Sequence, residues 1–160
     1  NLYVLGYNKN KQLSTLNKAT KTNLSTYLEQ YRMLTDAINI KDAYVINFNL
    51  DFDITTFPNY NNEEIILECI SELKDYFDID KWQVNQPIIM SEISNLLTNV
   101  KGVRSIEKLE LQNKNGTNYS PYRYNFIKAT KKGVIYPSMD PSIFELKYPN
   151  TDINGRVTTY

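Results

Sequence analysis

The sequence predicts an α+β fold, a small β-α-β-type sandwich with helices on one face of a mixed or antiparallel sheet. Three observations carry that expectation. Tyr44, Ile46, Phe48, Leu50, Phe52 and Ile54 alternate with Val45, Asn47, Asn49, Asp51, Asp53 and Thr55, the period of a strand with one apolar and one polar face. Two stretches after it repeat apolar residues at helical spacing. A further strand, Val103 to Leu111, then closes the unit. A wet polar face belongs to an antiparallel or mixed sheet rather than to one covered on both sides. The expected organisation is a strand-helix lead-in over 1–40, a sandwich core over 41–112 and a β-rich arm over 113–160.

In chain order, Leu2 to Leu5 reads as a short strand that Gly6 and Asn8–Asn10 end. A helix of about 14 residues follows from Asn23, with Leu24, Tyr27, Leu28, Tyr31 and Leu34 on one stripe. Thr22 or Asn23 is its expected cap. Pro58 ends the alternating strand. Asn61 opens a second helix, with Glu64 at capping-box spacing. Its expected buried stripe is Ile66, Ile70, Leu73 and Phe77, flanked by Ile65, Cys69 and Tyr76. A weak strand at Trp82–Val84 is the expected second sheet element. The third helix starts near Pro87, turns Ile89, Ile93, Leu96, Leu97 and Val100 inward, and stops at Gly102. The phase of the next strand slips between Ile106 and Leu109, which a bulge or a two-sided strand would explain. Asn115-Gly116 lies in a turn over 113–118. Beyond it, four prolines punctuate short aromatic pieces, so 119–160 reads as an irregular arm with little core of its own.

Composition narrows the function. Eighteen basic and eighteen acidic residues cancel, which argues against electrostatic nucleic-acid binding. The chain has no apolar run of roughly 18 residues, so no helical membrane span is expected. It starts with Asn1 rather than Met, which suggests a fragment excised from a longer polypeptide. The absence of His removes the commonest general base and metal ligand. Five glycines, scattered singly, supply no phosphate-cradling loop. Cys69, the one cysteine, sits among Ile66, Leu67 and Ile70 and reads as a buried small hydrophobe. Thirteen tyrosines favour contact surfaces, because tyrosine joins apolar area to a polar tip.

Four clusters invite a chemical reading. Asp51-Phe52-Asp53-Ile54-Thr55 fits the Asp-x-Asp-x-Thr pattern of phosphatases that form an aspartyl-phosphate, but a solvated strand face explains it as well. Asp75, Asp78 and Asp80 lack the glycine and closing Glu of a calcium loop and read as a helix exit. Glu63, Glu64 and Glu68 complement the dipole of a helix start. Lys128, Lys131 and Lys132 stand beside Tyr124 and Phe126. They could grip a single strand, or they could be exposed lysines that protect an edge strand. Trp82 reads as a core or interface anchor.

Three stretches resemble a known family. They are Tyr27-Leu-Glu-Gln-Tyr-Arg-Met-Leu-Thr-Asp36 leading into Ile40 and the strand Ala43–Ile54; Trp82-Gln-Val-Asn-Gln-Pro-Ile89 with Val100-Lys-Gly-Val-Arg-Ser-Ile106; and Gly133-Val-Ile-Tyr-Pro137 with Asp140-Pro-Ser-Ile-Phe-Glu145 and Asp152-Ile-Asn-Gly155. Together they resemble the C-terminal part of the large baseplate wedge subunit of contractile-tailed, T-even-type bacteriophages. The middle stretch is also similar to the broader baseplate J-like family.

The resemblance implies a structural virion protein of the tail baseplate, assembled in the host bacterial cytoplasm, and not an enzyme. It would self-associate as a dimer or ring and join other wedge proteins, with no cofactor, metal, nucleic acid, membrane or small-molecule substrate. Tyr119, Tyr122, Tyr124, Phe126, Phe144 and Tyr148 are the expected interface residues, and deleting 119–160 is expected to weaken assembly. The alternatives are a nucleic-acid-binding α+β module and an Asp-dependent phosphatase using Asp51.

Overall fold

The computed structural model describes residues 2–30, 40–137 and 141–158. Tyr31 and Leu34 of the first predicted stripe, and residues 31–36 and Asp140 of the family-like stretches, lie outside them. The lead-in holds β1 (Leu2–Val4), β2 (Gly6–Tyr7), β3 (Leu13–Ser14) and α1 (Lys18–Glu29). Then come β4 (Ile40–Asp42), β5 (Tyr44–Thr56), α2 (Asn62–Tyr76), a 3-10 turn (Ile79–Lys81), β6 (Ile88–Ile89), α3 (Met90–Thr98) and β7 (Val103–Lys114). The remainder supplies α4 (Phe126–Ala129), β8 (Thr130–Lys131), β9 (Val134–Ile135), β10 (Ser142–Glu145), α5 (Pro149–Asp152) and β11 (Ile153–Val157).

The fold is α+β, and β5 is its centre. Along one side β5 pairs antiparallel with β7, from Asn47↔Lys114 to Thr56↔Val103. Along the other it pairs in parallel with two short strands end to end, β10 over Tyr44–Asn47 and β11 over Leu50–Ile54. The sheet is therefore mixed. Even-numbered β5 residues Ile46, Phe48, Leu50, Phe52 and Ile54 are wholly buried beneath α2 and α3. Of the two explanations for the phase slip, the bulge is present: Asp53 faces Lys108 while Ile54 faces Ile106, so Glu107 is the extra residue.

The segment 113–160, expected to be an arm with little core, instead builds one whole side of the sheet. Its short apolar pieces are too brief to form a sheet alone, but β10 and β11 find a partner on β5, whose long edge would otherwise be unpaired. Phe144, Phe126 and Tyr124 join Phe48 and Phe77 in one aromatic cluster, with ring centroids 4.9 to 6.5 Å apart. Deleting 119–160 thus removes core, so loss of assembly on deletion cannot by itself identify an interface.

Helix boundaries shift for local reasons. α1 begins at Lys18 because Asn17 Oδ1 accepts from Thr20 N at 2.7 Å, a stronger start than Thr22 or Asn23, which lie inside the helix. α2 starts as expected, with Asn61 Oδ1 accepting from the amides of Glu63 and Glu64. Its buried stripe is rotated by one position: Ile65, Cys69, Leu73 and Phe77 are buried, and Ile66 and Ile70 are only partly so. α3 starts at Met90, since Ile88–Ile89 first pair with β9 and hold Pro87 outside the helix. It ends before Gly102, which takes φ +99 in the turn into β7. Trp82–Val84 forms no strand. Trp82 is instead buried against the rings of Tyr76 and Phe77, at 5.7 and 5.3 Å, and this anchor turns the chain.

Candidate functional site

The face of β5 turned away from the helices carries a ladder of polar cross-strand pairs. In a strand this face takes alternate residues, so one register sets every pair. At the first rung, Asn47 Nδ2 donates to Glu145 Oε1 at 2.8 Å. Further along, Asn154 Nδ2 donates to Asp51 Oδ1 at 3.2 Å. At the last rung, Arg156 grips Asp53 through two bonds, Nε to Oδ1 at 3.1 Å and Nη2 to Oδ2 at 2.9 Å. From β7, Gln112, Glu110 and Lys108 stand opposite Asn49, Asp51 and Asp53.

The two ends of this ladder differ in solvation. The expectation of a wet face holds only at the Asp51–Asp53 end. At the other end Asn47, Asn49 and Glu145 are buried, with Asn47 only 1% exposed. The lead-in and residues 119–122 bond to Asn47 and Glu145 at this end. Ser120 N donates to Asn47 Oδ1 at 2.7 Å, and Leu13 N donates to Glu145 Oε2. Each polar atom of Asn47 thus has a partner, which is what makes its burial affordable. Burial raises the Glu145 pKa, against the lowering effect of the Leu13 and Asn47 bonds. A cavity of about 340 Å3 opens beside this rung between Leu13, Asp42, Tyr119, Tyr122 and Glu145. Asp42 also receives Lys21 Nζ at 2.9 Å, which ties α1 to β4.

The six expected interface residues separate into three groups. Tyr124, Phe126 and Phe144 are buried in the chain's own core. Their aromatic spacing signalled packing, but intrachain packing, because β10 and α4 dock on the sheet. Tyr119 and Tyr148 are half-buried and meet edge-on at 5.4 Å. Tyr119 Oη donates to Asp152 Oδ1 at 3.0 Å, and its pKa is pushed up to about 12, first by burial and then by that carboxylate. Tyr122 alone is exposed, edge-on to Tyr44 at 4.9 Å.

The other clusters have structural roles. The Arg156 hydrogen bonds lower the pKa of Asp53. That arginine engages both carboxylate oxygens, where the phosphatase reading needs an acidic pair free to hold magnesium. Asp78 caps the 3-10 turn by accepting from Asp80 N, and Asp75 pairs with Lys81 at 2.6 Å. Lys131 lies on β8, the edge of the small sheet β6-β9-β8, and Lys132 in its turn at φ 52. Asn47, Glu145, Asn154 and Arg156 escaped the sequence reading. The signal for the last two was present: Asp152, Asn154 and Arg156 alternate with apolar or small residues at strand spacing.

No protein-family model matches the chain, and no curated protein matches it.

Proposed function

We propose that this chain is a structural segment of a phage tail baseplate wedge, working in the virion by packing against other protein chains. The three family-like stretches support the identity of the assembly. The observation that carries the packing role is α1. It is twelve residues long and none of them is buried. An isolated helix of that length is marginal in water, and helices in proteins draw most of their stability from a packed apolar face. Leu24 and Leu28 line one side of α1 and remain partly exposed. Leu2, Tyr3 and Tyr7 add exposed apolar surface elsewhere in the lead-in. A partner surface over α1 would supply the missing burial.

Light scattering across a concentration series tests this reading. Association that the double substitution Leu24→Glu with Leu28→Glu reduces, with the thermal melt unchanged, supports it. A chain that stays monomeric throughout and is also absent from purified tails, by mass spectrometry, overturns it.

A further inference from the structure

β7 hydrogen-bonds to β5 along one side, and among the described residues no strand pairs with its other side. The backbone N–H and C=O groups of such an edge are a template for another strand. Two concavities run along this edge and share Leu111, Gln112, Phe126 and Ile127, so they form one groove. Its apolar part, about 500 Å3, is walled by Met90, Leu109, Leu111, Phe126 and Ile135. Ile127, 88% exposed, also lines it and is the most exposed large apolar side chain among the described residues. The other part continues past Arg123 and Asn125 into a third concavity lined by Arg123, Lys128, Lys131 and Tyr136. No carboxylate lines that end, and none of its three cations makes an ion pair among the described residues.

We propose that this groove receives an extended segment of another protein chain as an added strand on β7. The segment would set alternate apolar side chains against Leu109, Leu111 and Ile127, and one or more carboxylates over Arg123, Lys128 and Lys131. The occupant follows from the two halves of the groove. A free ladder edge beside an apolar trough asks for a strand with side chains of period two. A cationic end on a chain of zero net charge asks for acidic residues there. A single nucleic-acid strand fits less well. Tyr124 is buried and unavailable for stacking, Tyr136 is the one half-exposed ring at the cations, and the apolar trough offers phosphate nothing. This inference deepens the assembly reading and rests on it.

The probe is a display library of short peptides with alternating apolar and polar positions and acidic, neutral or basic ends, selected on the whole chain. Acidic-ended peptides are expected to be enriched. Ile127→Asp should lower their affinity on the order of tenfold. Arg123→Glu with Lys128→Glu should turn the preference toward basic ends. Circular dichroism melts confirm that these exposed substitutions leave the fold intact. Hydrogen exchange should slow at β7 amides when peptide binds. No enrichment, enrichment indifferent to the end charge, binding without slowed exchange on β7, or binding of an oligothymidine in place of every peptide would each overturn the proposal. The two readings fail separately. A chain that associates in light scattering yet selects no peptide loses only the groove. A chain that selects peptides but is monomeric and absent from tails loses only the assembly.

Discussion

Gly155 lies in register with Phe52, and the Phe52 ring covers the place where a side chain at 155 would stand. A Cβ built there would sit 2.7 Å from Cε2 and 2.8 Å from Cε1 of the ring. The ring itself is wholly buried, so it has no open side to move toward. Gly155→Ala should therefore destabilise the fold by about 1–3 kcal/mol through overpacking. Urea unfolding measures it. A double variant, Gly155→Ala with Phe52→Leu, should recover part of the loss, and an additive result would show that the two sites are independent.

Glu145 gives a pH-dependent prediction. Its folded pKa is raised, so in the folded chain it keeps its proton to higher pH than the unfolded value of about 4.3. In that window the folded state binds more protons. Wild-type stability should fall as pH rises from about 4.3 through the raised folded value, then level off. Glu145→Gln removes the titration and also one acceptor, leaving its amide facing either the Leu13 or the Asn47 donor, at about 1–3 kcal/mol. The stability gap between wild type and variant should narrow as pH rises. A gap that widens instead would mean that the two hydrogen bonds outweigh burial.

How much of this was legible in the sequence depended on whether the signal was local. The β5 alternation, the Asn61 cap and the bulge at Glu107 rest on neighbours a few residues apart, and all three stand in the structure. The α2 stripe was misplaced by one position because Ile65, Ile66, Cys69 and Ile70 are all apolar, and only the sheet beneath decides which of them is buried. The polar ladder was out of reach for a different reason. Asn47 reads as a solvent-facing residue until Glu145, 98 positions away, is laid beside it. Short strands such as β10 and β11 exist only through β5, so even the alternation at 152–156 could not by itself tell which strand it would join.

Removing 119–160 should abolish cooperative unfolding rather than only weaken association. The deletion takes away Phe144, Phe126 and Tyr124 from the aromatic cluster and both parallel strands from β5. Far-UV circular dichroism against urea checks it. A sharp transition in the shortened chain would show that residues 2–118 fold alone.

Cys69 should report on unfolding. Its side chain is wholly buried on α2, and its thiol is pushed up to about 11, first by burial and then by Glu68 and Glu72. Thiolate is the reactive form, so native Cys69 should resist iodoacetamide near neutral pH and react readily in urea. Fast labelling of the native chain would reveal local opening of α2 from the sheet.

The placement of β10 and β11 beside β5 also bears on time. Parallel partners about a hundred residues apart cannot meet until nearly the whole stretch between them has left the ribosome. β7 can pair earlier, since it follows β5 after only α2, a 3-10 turn, β6 and α3. A nascent chain therefore carries an open β5 flank through most of its synthesis. Loop closure over such distances slows folding and prolongs exposure of an unpaired edge. Refolding should thus show an early antiparallel intermediate that the last short strands convert, slowly, to the native sheet.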